Sequence, residues 1–203
     1  LGSALSGYGS FQASMGIAVG DFDNDQLIDI FLTHFTGEAN TLYKNLGTAG
    51  FEDISSNVGI RKASLDRLGF GAFMHDFDQN GTPELIVANG HIDERNADGA
   101  GYRQSLQLLT LAGDSWVDCS DKSGEVFQEK SVGRGVAGGD YDRDGDLDLL
   151  VVNQNSSTCL LRNDSVRGHW LKVAFAGVVS NRNGVGCRVL VRTDDRVLMQ
   201  ELA

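Results

Sequence analysis

Proline is nearly missing from this chain: Pro83 stands alone against 26 glycines in 203 residues. That imbalance excludes a proline-stiffened linker and points to many tight turns between short strands. Helical periodicity is weak throughout, so a helix bundle is excluded as the main architecture. No apolar run approaches the roughly 20 residues needed to cross a bilayer as a helix. Basic residues are also scarce, 17 Lys and Arg against 28 Asp and Glu, for a net charge of −11. A surface of that sign does not suit nucleic acid, whose phosphates need cationic partners. Cys119, Cys159 and Cys187 form no C-x-x-C motif, and their odd number leaves at least one without an intrachain partner. They read as three buried thiols. The opening Leu1-Gly2-Ser3-Ala4 has neither an initiator Met nor a signal-peptide pattern. The chain is therefore expected to be a mature or partial segment.

What is present is a repeat. Met15–Thr33, Gly69–Asn89 and Gly133–Asn153 share one plan: an apolar or glycine-rich strand, an acidic loop, then a β-rich run. The first loop acids, Asp21, Asp76 and Asp140, are 55 and 64 residues apart, in the range of propeller blades and somewhat longer than most. Short apolar-alternating segments follow at Thr41–Asn45, Leu106–Thr110 and Thr158–Asn163, and two units close with Gly50–Ile54 and Ser115–Cys119. Four short strands per unit is the plan of a blade. The expected fold is all-β: a partial β-propeller of about three four-stranded units followed by a small β-rich module. Its divisions are 1–66, 67–130, 131–167 and 168–203. His91–Ser105 forms a longer polar insertion and is expected to be a solvated connection.

The loops carry the chemistry. Counting from the first acid, the third loop has carboxylates at positions 1, 3, 5 and 9: Asp140, Asp142, Asp144 and Asp148. Asp146, at position 7, offers its backbone carbonyl. The first loop repeats this with Asp21, Asp23, Asp25 and Asp29 and the Leu27 carbonyl. The second has Asp76, Asp78, Asn80 and Glu84, with Thr82 at position 7. Alternating side chains in a tight turn converge on one point, and oxygen ligands at this density suit Ca²⁺, which takes about six to eight oxygens. Without a cation, such carboxylates would repel by several kcal/mol at about 4–6 Å and an effective dielectric near 20. Ca²⁺ is thus the expected cofactor, at about three sites, and the neutral Asn80 makes the second the expected weakest. An EF-hand is excluded because position 12 is Leu32, Val87 or Val151 and the flanks are strands. Zinc is disfavoured because no His/Cys cluster accompanies the acids.

These units resemble the FG-GAP or VCBS repeat family over roughly residues 14–165, with Gln26 in place of the usual loop glycine in the first unit. The resemblance implies D-x-D-x-D-G-x-x-D loops that bind Ca²⁺ between the strands of propeller blades. A second stretch resembles the start of an ASPIC/UnbV domain, through Arg162-Asn163-Asp164, His169–Val173 and Ser180–Val189. That module accompanies such repeats in cartilage-acidic-protein-like and bacterial secreted proteins. Ending at Ala203, it is expected to be truncated, and Asp194-Asp195 is expected to sit in a hairpin turn.

The functional expectation is an extracellular, secreted or cell-surface module for binding, adhesion or surface assembly. Its partner would be a protein or carbohydrate, with no nucleic acid and no membrane span. Three blades fall short of the about four to eight that close a ring. Self-association through unclosed blade edges is therefore a second expectation, with a filament or coat subunit as the alternative role. An accessory or catalytic role in a biosynthetic pathway rests on analogy alone. No catalytic residue is expected, since each candidate acid is one member of a motif repeated three times. His34 and His75 read as packing or supporting residues. Asn155-Ser156-Ser157 and Asn163-Asp164-Ser165 match glycosylation sequons.

Overall fold

The structure is a computed structural model that describes residues 5–165, 168–179, 181–194 and 196–202. The features read at 1–4, Ser180, Asp195 and Ala203 therefore lie outside the described residues.

Each repeat folds into an antiparallel sheet whose strands follow chain order. In the first, β1 (Ile17–Gly20), β2 (Asp29–Leu32), β3 (Thr41–Asn45) and β4 (Phe51–Asp53) pair in sequence. A short helix, α1 (Ile60–Ser64), leads to the second sheet. There β5 (Gly69–His75) and β6 (Glu84–Asn89) are followed by β7 (Gln104–Ser105), β8 (Gln107–Ala112) and β9 (Ser115–Asp118), and the sheet order is β5-β6-β8-β9. β7 leaves the sheet to pair with β10 (Lys130–Ser131). The third sheet has three strands: β11 (Gly133–Gly139), β12 (Asp148–Asn153) and β13 (Cys159–Leu161). β14 (Arg188–Arg192) and β15 (Val197–Glu201) form a separate hairpin. Among the described residues no sheet closes on itself. The architecture is that of a partial β-propeller with a small β module after it.

Burial shows how the sheets stack. All six residues of β6 are buried, as expected of a strand covered on both faces. Leu85 and Val87 join Phe31, Leu42 and Trp116 in one core, while Ile86 and Ala88 join Leu149 and Val151 in a second. The second sheet is thus the filling between the other two. In β12, Leu149 and Val151 are buried while Leu150 and Val152 are exposed. In β2 the fully buried apolar residue is Phe31, and Ile30 and Leu32 are half-buried. The period-2 alternation of the outer sheets and its loss in the middle sheet come from one cause, coverage.

The innermost strands approach closely, and glycine permits it. A β-carbon on Gly71 would lie 2.6 Å from Val136 N and 2.7 Å from Gly135 Cα.

Several sequence expectations need adjustment. The insertion after β6 is not simply solvated: His91 and Gln104 at its ends are buried, and Gln104 accepts a hydrogen bond from the Leu68 amide (3.0 Å). The cysteines are free and only partly buried. Cys159 lies on the last strand of the three-stranded sheet, where no fourth strand covers it among the described residues. In the C-terminal part the described strands are two, confined to 188–201.

Gly71→Val should destabilise the fold by roughly 3 kcal/mol, lowering the thermal midpoint by about 6–12 °C. Gly139→Ala, in open space at the end of β11, is the matched control and should move it by no more than about 2 °C. Differential scanning calorimetry of the two variants checks both.

Candidate metal centre

Each acidic loop lies between the first and second strand of its sheet, so the three loops occupy the same place in successive blades. A turn of this tightness needs one residue in the left-handed region. Position 4 supplies it each time: Asn24 (φ 60°), Gln79 (φ 57°) and Arg143 (φ 65°). At position 6 Gly81 and Gly145 also have positive φ, and Gln26 adopts the same conformation (φ 69°) in their place. The missing glycine of the first loop therefore leaves the turn unchanged.

The backbone of the turn points its amides at its own carboxylates. The position-9 acid, at the start of the second strand, accepts the position-2 amide in every loop. The pairs are Phe22 N to Asp29 (3.2 Å), Phe77 N to Glu84 (2.8 Å) and Tyr141 N to Asp148 (3.1 Å). The other oxygen of Asp29 accepts Asn45 N (2.8 Å), from the last residue of β3, and that of Asp148 accepts Asn163 N (2.9 Å), from just past β13. In the first two loops position 1 accepts the amides of positions 5 and 6. Asp25 N and Gln26 N reach Asp21 at 2.9 and 2.8 Å, and Asn80 N and Gly81 N reach Asp76 at 2.9 and 2.7 Å. Position 7 enters through its amide. Leu27 N donates to Asp25 (2.9 Å), Thr82 N to Asn80 (2.8 Å) and Asp146 N to Asp144 (3.3 Å).

With the turn so held, the acids converge. Ligand oxygens of Asp21, Asp23 and Asp29 lie within 4.8 Å of one another, as do those of Asp76, Asp78 and Glu84, and of Asp140, Asp142 and Asp148. Positions 1, 3 and 9 thus meet in all three loops. In the third, Asp142, Asp144 and Asp146 form an overlapping group, so position 7 brings a carboxylate as well. Asp25 instead lies 3.4 Å from the Lys44 ammonium, which also pairs with Asp23.

Burial makes these groups hard to ionise. Asp29 and Glu84 are both raised to about 7, chiefly by desolvation and against the pull of their amide hydrogen bonds. Asp21 and Asp76 are raised for the same reason. An amide occupies one lone pair of a carboxylate oxygen and leaves another for a cation. Oδ1 of Asp23 and Oδ1 of Asp140 are buried with no hydrogen-bond partner among the described residues. Oxygen-only donors, buried and partly unspent, fit a hard divalent cation.

Other contacts were not legible in the sequence. Asn24 Nδ2 donates to Gly81 O and Gln79 Nε2 to Gly145 O, each at 3.1 Å, so the position-4 side chain ties one loop to position 6 of the next. The C-terminal segment meets the later loops: Trp170 packs on Gly145, Lys172 Nζ lies 3.6 Å from Asp140, and Arg196 donates to Asn80 O (2.9 Å). Of the histidines, His34 is buried between Ser14 Oγ (3.2 Å) and Thr41 Oγ1 (3.0 Å). His75 packs edge-on to Phe77, and burial lowers its pKa.

The geometry defines a class: an all-β repeat protein with one acid-lined turn per blade. Comparison with known proteins agrees. Residues 21–87 match the family described as FG-GAP-like repeat. Over 151 residues, 74% of this chain, it is 28% identical to cartilage acidic protein 1 of Xenopus tropicalis. It is 24% identical over the same length to the proteins of that name from Mus musculus and Homo sapiens. The chain spans about a fifth of the length of these relatives.

The raised carboxylates set a pH dependence for the metal-free protein. Asp29 and Glu84 hold protons in the folded state up to about 7, whereas unfolded they release them near 3.8 and 4.5. Their contribution to stability is complete below the unfolded values and is lost as pH rises through about 7. Chemical denaturation in EGTA should therefore show falling stability between pH 5 and pH 8 at roughly these values. Saturating Ca²⁺ should flatten the fall, because a cation favours the ionised acids.

Proposed function

We propose that this chain is a Ca²⁺-stabilised stretch of an extracellular binding or adhesion protein, in which each blade holds one ion in its acidic turn. The observation that carries this reading is the convergence of positions 1, 3 and 9 in three successive loops, each clasped by the same position-2 amide. The ligands are Asp21, Asp23, Asp29 and, once freed from Lys44, Asp25; Asp76, Asp78, Asn80 and Glu84; and Asp140, Asp142, Asp144, Asp146 and Asp148. Carbonyls of Leu27 and Thr82 complete the first two shells. The ion neutralises acids that burial makes costly to ionise, and so locks the turn between the first two strands.

An extracellular setting suits the same chemistry, since Ca²⁺ modules outside cells are half-saturated at about 10⁻⁴–10⁻³ M. The similarity to cartilage acidic protein 1 supports that setting. The reading is non-catalytic, because the acids serve alike in every blade. On this reading the repeats end at 66, 130 and 167, with one loop in each unit. The partner is a protein or carbohydrate.

A second reading, assembly with further blades or copies, is favoured by the two outer faces. Ile17 and Val19 are exposed on one, and Leu150, Val152 and Leu160 on the other.

The test is the thermal midpoint in EGTA, in millimolar Ca²⁺ and in millimolar Mg²⁺. Millimolar calcium, about ten times a dissociation constant of 10⁻⁴ M, should add roughly 1.4 kcal/mol per site, and Mg²⁺ little. Asp140→Asn with Asp148→Asn should remove one site's share of that gain. Half-saturation below about 10⁻⁶ M would instead indicate an intracellular sensor or buffer, and no shift at all would end the calcium reading.

A further inference from the structure

The three loops are alike in backbone and unlike in the cation each receives from the protein. At the first loop the cation comes from the adjoining strand of the same sheet. Lys44 sits on β3 one place beyond the Tyr43–Ile30 pair, opposite Asp29 at position 9. From there its ammonium pairs with Asp23 and lies 3.4 Å from Asp25, 5.9 Å from the centre of the Phe22 ring. Its side chain and those of both acids are less than one-third exposed.

The equivalent strand positions behave differently. In the second sheet the residue is Thr110, next to the Leu109–Leu85 pair, and it is neutral. In the third it is Arg162, next to the Leu161–Leu149 pair, and its guanidinium pairs with Asp164 (2.9 Å), with Asp142 of the loop a weaker electrostatic neighbour. The later loops meet cations of the C-terminal segment instead. Lys172 is 74% exposed and touches Asp140 at 3.6 Å, while Arg196 addresses the Asn80 carbonyl. Among the ion pairs of the described residues, Lys44 is thus a cation that a strand delivers to two acids of one loop.

We propose that Lys44 is a built-in competitor for the metal ion at the first loop, so that this loop is charge-compensated without Ca²⁺ and takes it more weakly than its acids alone would. This rests on the reading of the loops as calcium sites. An ammonium supplies one positive charge and three donors but no coordination shell, so a divalent ion must displace it to collect Asp23 and Asp25. Tethering on β3 keeps the competitor at hand whatever the solution contains. The first loop, despite its four acids, is then a conditional site, filled only when the ion displaces the ammonium from Asp23 and Asp25.

Terbium(III), a calcium substitute sensitised by nearby tryptophan, reads this loop separately. The chain has two tryptophans. Trp116 lies 6.1 Å from the ring of Phe22, between Asp21 and Asp23, and Trp170 lies on Gly145 of the third loop. In the full chain carrying Trp170→Phe, which removes the tryptophan at the third loop, and Asp76→Asn with Glu84→Gln, which remove the second site near Trp116, luminescence excited through tryptophan reports the first loop. Adding Lys44→Met should lower the terbium midpoint about fivefold, the scale of one partly exposed ion pair. Lys44→Arg, which keeps the charge, should not lower it.

Melting supplies the second readout. In EGTA Lys44→Met should melt below the parent, because its acids repel, and saturating Ca²⁺ should restore it to the parent's midpoint or above. A merely structural lysine would depress both and leave the terbium midpoint unmoved. Bound terbium with an unchanged midpoint in Lys44→Met overturns the role of Lys44 and leaves the calcium reading standing. Absence of both terbium signal and calcium-dependent melting in every variant overturns both.

Discussion

Carboxylates that would repel one another are held together in each loop by the backbone they sit on, and the rest of the structure is arranged around that hold. The position-2 amide grips the position-9 acid across the turn in all three loops. Because position 9 is also at the start of the second strand, the grip joins the turn to the sheet. Loosening it would release the register between β1 and β2, β5 and β6, or β11 and β12. Burial then penalises the charge it has gathered, which is why Asp29 and Glu84 resist ionisation up to about 7. A turn built this way is complete in shape and incomplete in charge.

Blade packing multiplies the constraint. β6 of the second sheet is buried on both faces, and the two cores on either side of it connect all three blades. Asn24 and Gln79 extend the connection along the loops, each reaching a carbonyl of the next turn. Adjacent loops therefore share structure as well as pattern. The close approach of Gly71 to the Gly135 backbone sets the spacing of the innermost strands, and no larger residue would fit at Gly71.

Charge compensation is where the loops part company. Counting acids ranks the second loop weakest, since Asn80 is neutral. The structure introduces a term that acid counting omits, the Lys44 ammonium paired with Asp23 and Asp25. Its counterparts in the strand order are a threonine and an arginine engaged elsewhere. A pattern repeated three times has been given three different electrostatic settings.

Much of the fold was readable in the residues. The alternation of the strands and the acids at positions 1, 3 and 9 are local, because a strand's faces and a tight turn's convergence depend on neighbours within about ten residues. The seam where Gln26 replaces glycine was read as a departure, and its positive φ shows the turn surviving it. What could not be read depends on partners far along the chain. Phe31 rather than Ile30 is buried in β2 because the second sheet lies on that side, and Leu150 is exposed in β12 because among the described residues nothing covers it. The buried ends of the His91–Ser105 insertion depend on Leu68 and Tyr102. Lys44 reaches Asp23 only because β3 pairs with β2 in the register that sets Tyr43 against Ile30. The sequence by itself determined which turns gather acids; the tertiary structure decided which of them the protein already answers with a charge of its own, since that answer comes from a different strand.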